Sequence, residues 1–134
     1  MTSARPLKRT PFRRKAAVIE DKIIAGKHWP AAWMSEKDFQ AHVESIAHGY
    51  GWMTSHAHLP FFDTAGTPDL LIVHPKTGRT IFAELKVRGK TGNLPKPTPA
   101  QYRWLAALGI KNETYIWSWP DDDETIYEKM GGQQ

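Results

Sequence analysis

The chain of 134 residues contains no cysteine, which excludes disulfides, thiolate metal sites and cysteine nucleophiles and leaves its chemistry to carboxylates, histidines, lysines and hydroxyls. Its composition, 40% hydrophobic and 24% charged, suits one globular domain with a real core. No run approaches the roughly 20 apolar residues of a membrane helix, and a net charge of +4 points to an anionic partner.

Residues 1–34 read as a basic arm and connector. Arg5, Lys8, Arg9, Arg13, Arg14 and Lys15 occur without an acid among them and without helical or strand periodicity, the pattern of an arm that tracks a nucleic-acid backbone or of a solubilising tail. A weak apolar pattern (Val18, Ile19, Ile23, Ile24) then gives way to Trp29-Pro30, where proline breaks any helix. Trp29 and Trp33 suit packing better than base stacking. The N-terminus is too basic and too poor in apolar residues for a secretory signal, so a soluble, cytoplasmic protein is expected.

A helix is expected from Ser35, an N-cap followed three residues later by Asp38, to Gly49 and Gly51. Its apolar stripe is Phe39, Val43, Ile46, Ala47 and Tyr50. At about 100° per residue, Glu36 falls roughly 40° from the centre of that stripe and Glu44 about three times as far, so Glu36 is expected to lean toward the core and Glu44 toward water.

Residues 52–58 predict a strand. "DLLIVH" and "RTIFAELKV" predict two more, joined as a hairpin by Pro75-Lys76-Thr77-Gly78. Thr98 then caps a helix with Pro99 at its first position and Gln101 as the reciprocal capping-box partner, its stripe formed by Tyr102, Leu105 and Leu108 before Gly109. "ETYIWSW" predicts a final strand and "PDDDETIYEKM" a closing helix whose acids lie at its positive end.

If His74 and Arg79 face each other across the hairpin loop, Asp69 stands opposite Glu84, their Cβ atoms about 5 Å apart. Two ionised carboxylates there repel by roughly 3 kcal/mol at an effective dielectric near 20, and the apolar residues between Leu70 and Val73 leave little water to screen them. Strand alternation places Lys86 on the face of Glu84 and sends Ala83, Leu85 and Val87 to the other. Hard oxygen ligands so arranged suit Mg²⁺ or Mn²⁺, usually gripped by one or two protein carboxylates. Taken alone, the same residues can also be solvated charges on a half-exposed hairpin.

"TPDLLIV", "FAELK" and "TPAQYRWLAALG", preceded by "SEKDFQAHVESIAHGYGW", resemble the PD-(D/E)XK nuclease superfamily, and within it the small VRR-NUC (virus-type replication-repair nuclease) domains of phage and bacterial type. The resemblance covers residues 35 to about 130. It implies an α/β (α+β) restriction-endonuclease-like core, helix, three strands, helix and strand, with a mixed sheet flanked by helices. The domain so implied spans 35–130, with 131–134 as a flexible C-terminus.

It further implies a catalytic set of Glu36, Asp69, Glu84, Lys86 and Gln101, with Mg²⁺ or Mn²⁺ held by Asp69, Glu84 and the backbone carbonyl of Leu85. Lys86 would orient or help deprotonate the attacking water, Glu36 would add a third acid, and Gln101 would line the site. The function so implied is a metal-dependent DNA endonuclease, structure-selective in its sharper form, acting on branched or duplex DNA as a homodimer without an organic cofactor. Arg88, Lys90 and Lys96 follow the catalytic strand and join Arg9, Arg13, Arg14 and Lys15 as candidate phosphate contacts. His56 and His58 share a strand face but lack a third ligand at zinc spacing, and fit the mouth of a nuclease site or a strand surface better. The alternatives are a non-catalytic nucleic-acid-binding module that retains the nuclease fold, and a structural accessory whose hairpin charges are surface.

Overall fold

The computed structural model describes residues 33–56 and 64–132. Helix α1 spans Glu36–Gly49, strand β1 Met53–His56, β2 Leu70–Val73 and β3 Thr80–Val87; α2 spans Pro99–Leu108, β4 Glu113–Trp119 and α3 Asp123–Gly131. The mixed α+β order and every element type expected for 35–130 are present. Residues 1–32, 57–63 and 133–134, with Arg9, Arg13, Arg14, Lys15, Trp29 and His58, lie outside the described residues.

Ser35 starts α1 by accepting the Asp38 N–H at 3.0 Å on its side-chain oxygen. The chain leaves α1 through Gly51, whose φ of +91° suits a residue without Cβ. The four strands lie in the order β1-β2-β3-β4, antiparallel except for β3 and β4, which run parallel. That parallel pair requires a crossover, and α2 supplies it.

One sheet face carries Leu70, Ile72, Ile81, Ala83, Leu85 and Trp117, all buried in a single core with Phe39, Val43, Ile46 and Ala47 of α1 and Ile126, Tyr127 and Met130 of α3. Asp123, at the positive end of α3, is buried and joined to His42 of α1 at 2.8 Å, so this acid ties the two helices together on that face. The opposite face carries Leu71, Phe82, Glu84 and Lys86 under α2.

The stripe expected on α2 is corrected by this arrangement. Tyr102 is 51% exposed and Leu105 is the buried residue of the helix, because α2 covers a partly polar face and turns Gln101 and Leu105, one helical turn apart, toward it. The closing helix also runs on through Gly131, with Gly132 as its C-cap, so the expected flexible end does not begin at 131. Among the described residues no helix is long and apolar enough to cross a membrane.

Candidate active site

The hairpin register matches the one expected: Leu70 pairs with Ala83, Leu71 with Phe82, Ile72 with Ile81 and Val73 with Thr80, and His74 donates its N–H to the Arg79 carbonyl at 2.9 Å. Continuing it by one residue sets Asp69 opposite Glu84, and by two sets Pro68 opposite Leu85. A ladder position that calls for an N–H meets a proline, which has none, and β2 stops.

The Asp69 side chain takes over there, its Oδ2 accepting the Leu85 N–H at 2.8 Å. The N–H and C=O of one strand residue point the same way, so the Leu85 carbonyl faces the gap left by Pro68. The dipeptide Pro68-Asp69 thus frees a carbonyl and places a carboxylate beside it.

On the α2 face, Glu84 is 2% and Lys86 8% exposed. Glu84 Oε2 accepts from Gln101 Nε2 at 2.8 Å and pairs with Lys86 Nζ at 3.3 Å, whereas Glu84 Oε1 is buried with no hydrogen-bond partner. Burial first and the charge of Asp69 second push the Glu84 carboxyl up to about 7, against the opposing pull of Lys86.

Gln101 connects the site to the start of α2. Its Oε1 accepts the Thr98 N–H at 2.8 Å and Lys86 Nζ at 3.1 Å, and Thr98 in turn accepts the Gln101 N–H at 3.2 Å. The expected capping box is therefore present, and one amide caps a helix, holds an ammonium and binds a carboxylate. Gly66 brings the loop carrying Asp69 against the same helix: with φ of +93°, it lies where a Cβ would stand 2.7 Å from Ala100 Cβ.

The two acids of α1 exchange their expected roles. Glu36 is exposed, because the first residue of a helix has no turn before it to bury it. Its carboxyl nonetheless stands near the site, its pKa raised by local burial and then by Asp69, with Lys86 opposing. Glu44, expected in water, is half-buried because His56 at the end of β1 reaches it, Nδ1 to Oε2 at 2.8 Å. A cleft of about 440 Å³ runs along α1 and joins these groups, lined by Glu36, Lys37, Gln40, Glu44, His56, Asp69 and Leu85 among others. Sequence periodicity had no access to the Glu44–His56 pair, which exists only once β1 lies beside α1.

The flanking cations separate into two kinds. Arg88 is engaged by Asp121, at 2.9 Å from Nε and 2.6 Å from Nη2, and by the Gly92 carbonyl at 2.7 Å, so it ties the loop after β3 to the approach of α3. Lys96 is exposed, and exposed Lys90 lies 5.2 Å over the Trp33 ring.

The donor set fits a hard divalent cation. The partnerless Glu84 Oε1, the Asp69 carboxylate and the Leu85 carbonyl are all oxygens at one end of the hairpin. Among the described residues no three His, Asp or Glu side chains cluster closely enough to hold a metal by themselves. A site here would thus rest on two carboxylates, a backbone oxygen and oxygens from outside the chain, which is the Mg²⁺ pattern. Comparison of the chain with protein families, curated proteins and solved structures finds no match.

Proposed function

We propose that this chain is a metal-dependent endodeoxyribonuclease of the PD-(D/E)XK type, small VRR-NUC class, hydrolysing phosphodiester bonds. The observation that carries the reading is the buried Glu84 oxygen without a partner, beside Asp69 and above Lys86. Leaving a buried carboxylate oxygen unsatisfied costs roughly 1 to 3 kcal/mol, and a fold tolerates that most readily where a ligand completes the site.

Mg²⁺ or Mn²⁺ held by Asp69, Glu84 and the Leu85 carbonyl would supply positive charge to the phosphate and make a nucleophile of water near neutral pH. Lys86, fixed by Gln101 and Glu84, orients the attacking water with its ammonium protons. Glu36 stands at the rim of the cleft as a third acid near Asp69. One water is consumed: its oxygen bonds to phosphorus, the bond from phosphorus to one ester oxygen breaks, and that oxygen takes a proton. Exposed Lys90 and Lys96 are available to backbone phosphates. Branched DNA as the preferred substrate and a symmetric homodimer follow as the sharper form, since so small a domain has little surface for two crossing duplexes.

The test is cleavage of matched linear, nicked, flap and four-way-junction DNA with Mg²⁺, Mn²⁺ or EDTA, with Asp69→Ala and Lys86→Ala alongside. Metal-dependent cutting abolished in both variants supports the enzyme. Tight binding without cutting, indifferent to both substitutions, overturns it in favour of a binding module.

A further inference from the structure

The approach to α1 meets the loop that leaves β3. Sequence favours packing for Trp33, and the structure corrects it: Met34 is the residue that packs against the core, while Trp33 is 39% exposed. Beyond β3 the chain turns sharply, Gly89 donating its N–H to the Asn93 carbonyl at 2.8 Å and Gly92 donating to the Gly89 carbonyl at 2.9 Å. Arg88 fixes this turn by donating to Asp121 at 2.6 Å and to the Gly92 carbonyl at 2.7 Å. Exposed Lys90 lies within the turn and sets its Nζ 5.2 Å over the Trp33 ring, inside cation–π range. The pair adjoins the carboxylate site. Trp33 precedes Glu36 by three residues, at most about 11 Å of chain, and Lys90 follows Lys86 by four, at most about 14 Å. Glu36 itself feels the charges of both Asp69 and Lys86.

We propose that Trp33 is a specificity-determining residue of this site, stacking on an unpaired base of the DNA while Lys90 takes a neighbouring backbone phosphate. This rests on the nuclease reading and gives its preference for branched DNA a physical basis. Inside a matched duplex both faces of each base are covered by stacked neighbours, so the indole has nothing to stack on. At a flap or a branch point a strand leaves the stack, and a base face becomes available. Aromatic stacking accepts any base, because each has a π face, so the selectivity is for strand opening and not for sequence. Lys90 contributes the electrostatic part, which acts on any phosphate and weakens with salt. At about 3.4 Å of rise per nucleotide, these chain lengths put the stacked base within a few nucleotides of the cut phosphate.

The experiment places 2-aminopurine, whose fluorescence is quenched by stacking, as the first unpaired base of a DNA flap and, as a control, inside the matched duplex. Binding is read in EDTA, so the stack is scored without cutting. The wild type should quench the flap probe and leave the paired probe unchanged. Trp33→Ala should lose that quench and about tenfold or more of the flap affinity, with duplex affinity within about twofold of the wild type. Trp33→Phe should restore most of both. Lys90→Gln should keep the quench while flattening the slope of log affinity against log salt by roughly 0.7 to 0.9. With Mg²⁺, Trp33→Ala should narrow the preference for flap over duplex in kcat/KM by about tenfold. No quench by the wild type, or equal losses on flap and duplex in Trp33→Ala, overturns the stack, and cleavage of either substrate then keeps the nuclease standing. A wild type that quenches the flap probe but cuts nothing overturns the nuclease reading and leaves the stack in place.

Discussion

The backbone N–H of Leu85 donates to the Asp69 carboxylate at 2.8 Å, so this side chain finishes a ladder that Pro68 leaves open as well as offering charge. The two roles separate by substitution. Asp69→Asn keeps an oxygen for Leu85 and removes a negative charge opposite Glu84, so it should unfold within a few degrees of the wild type. Asp69→Ala strands the Leu85 N–H, a loss of roughly 1 to 3 kcal/mol partly offset by the relieved repulsion, and should be the less stable of the two. Both should lose cleavage by about 100-fold or more if the carboxylate holds the metal. Thermal melts beside cleavage rates check it, and an active Asp69→Asn would remove this residue from the ligand set.

Gln101 offers a second separation. Thr98→Ala removes one half of the capping box, at a cost of about 1 kcal/mol, without touching Lys86 or Glu84. Gln101→Ala removes the other half and releases both charged side chains. Thr98→Ala should lose about 4–8 °C in Tm for a domain near this size, and Gln101→Ala more, because it also strips a partner from buried Glu84 and Lys86. Cleavage should fall at least about tenfold further in Gln101→Ala, because only there does the ammonium lose one of its two partners and keep Glu84 alone. Equal activities would reduce Gln101 to a cap.

Gly66→Ala tests the loop that carries Asp69. The added Cβ meets the Cβ of Ala100 at 2.7 Å, but also its backbone carbon at 2.8 Å and oxygen at 2.9 Å, and φ is +93°. Strain at positive φ alone costs about 1 kcal/mol, and the backbone contacts force the loop away from α2. The variant should melt lower and cut more slowly. Ala100→Gly in the same chain should restore little of either, since it removes one of three close atoms and leaves φ unchanged. Full rescue would show that side-chain crowding was the whole effect.

Local rules carried most of the fold. Ser35, Thr98, Gln101 and the four-residue hairpin loop act on neighbours a few positions away, and the register that sets Asp69 opposite Glu84 follows from the loop length alone. The α1 acids were misread for a complementary reason: helical angle measures distance from an apolar stripe, whereas Glu36 is exposed by sitting in the first turn and Glu44 is covered by a strand that arrives later. Tyr102 failed likewise, because a stripe argument assumes an apolar partner and α2 lies on Glu84 and Lys86. The half of the site contributed by α1 and β1 depends on tertiary placement, which no sequence period encodes.

Acidity should reveal the site without any substrate. Glu84 has its pKa raised to about 7, so between the ordinary carboxylate range and pH 7 the folded chain binds a proton that the unfolded chain releases. The sign follows: stability is greatest below the unfolded pKa and is lost as pH rises from there through about 7, by about 3 kcal/mol if Glu84 acted alone. Glu36, also raised, adds in the same direction. Glu113 and Asp121, held low by Arg79 and Arg88, act oppositely and lose their contribution only on acidification through their depressed values. Metal-free protein should therefore melt higher near pH 5 than at pH 8, and Glu84→Gln should flatten that difference by raising the melt at pH 8. Mg²⁺ should stabilise the wild type at pH 8 far more than at pH 5, where it must displace the Glu84 proton, and should leave Glu84→Gln nearly unmoved. Differential scanning calorimetry across pH with Mg²⁺ or EDTA reads all three. A Mg²⁺ shift of equal size in Glu84→Gln would take the cation away from this carboxylate.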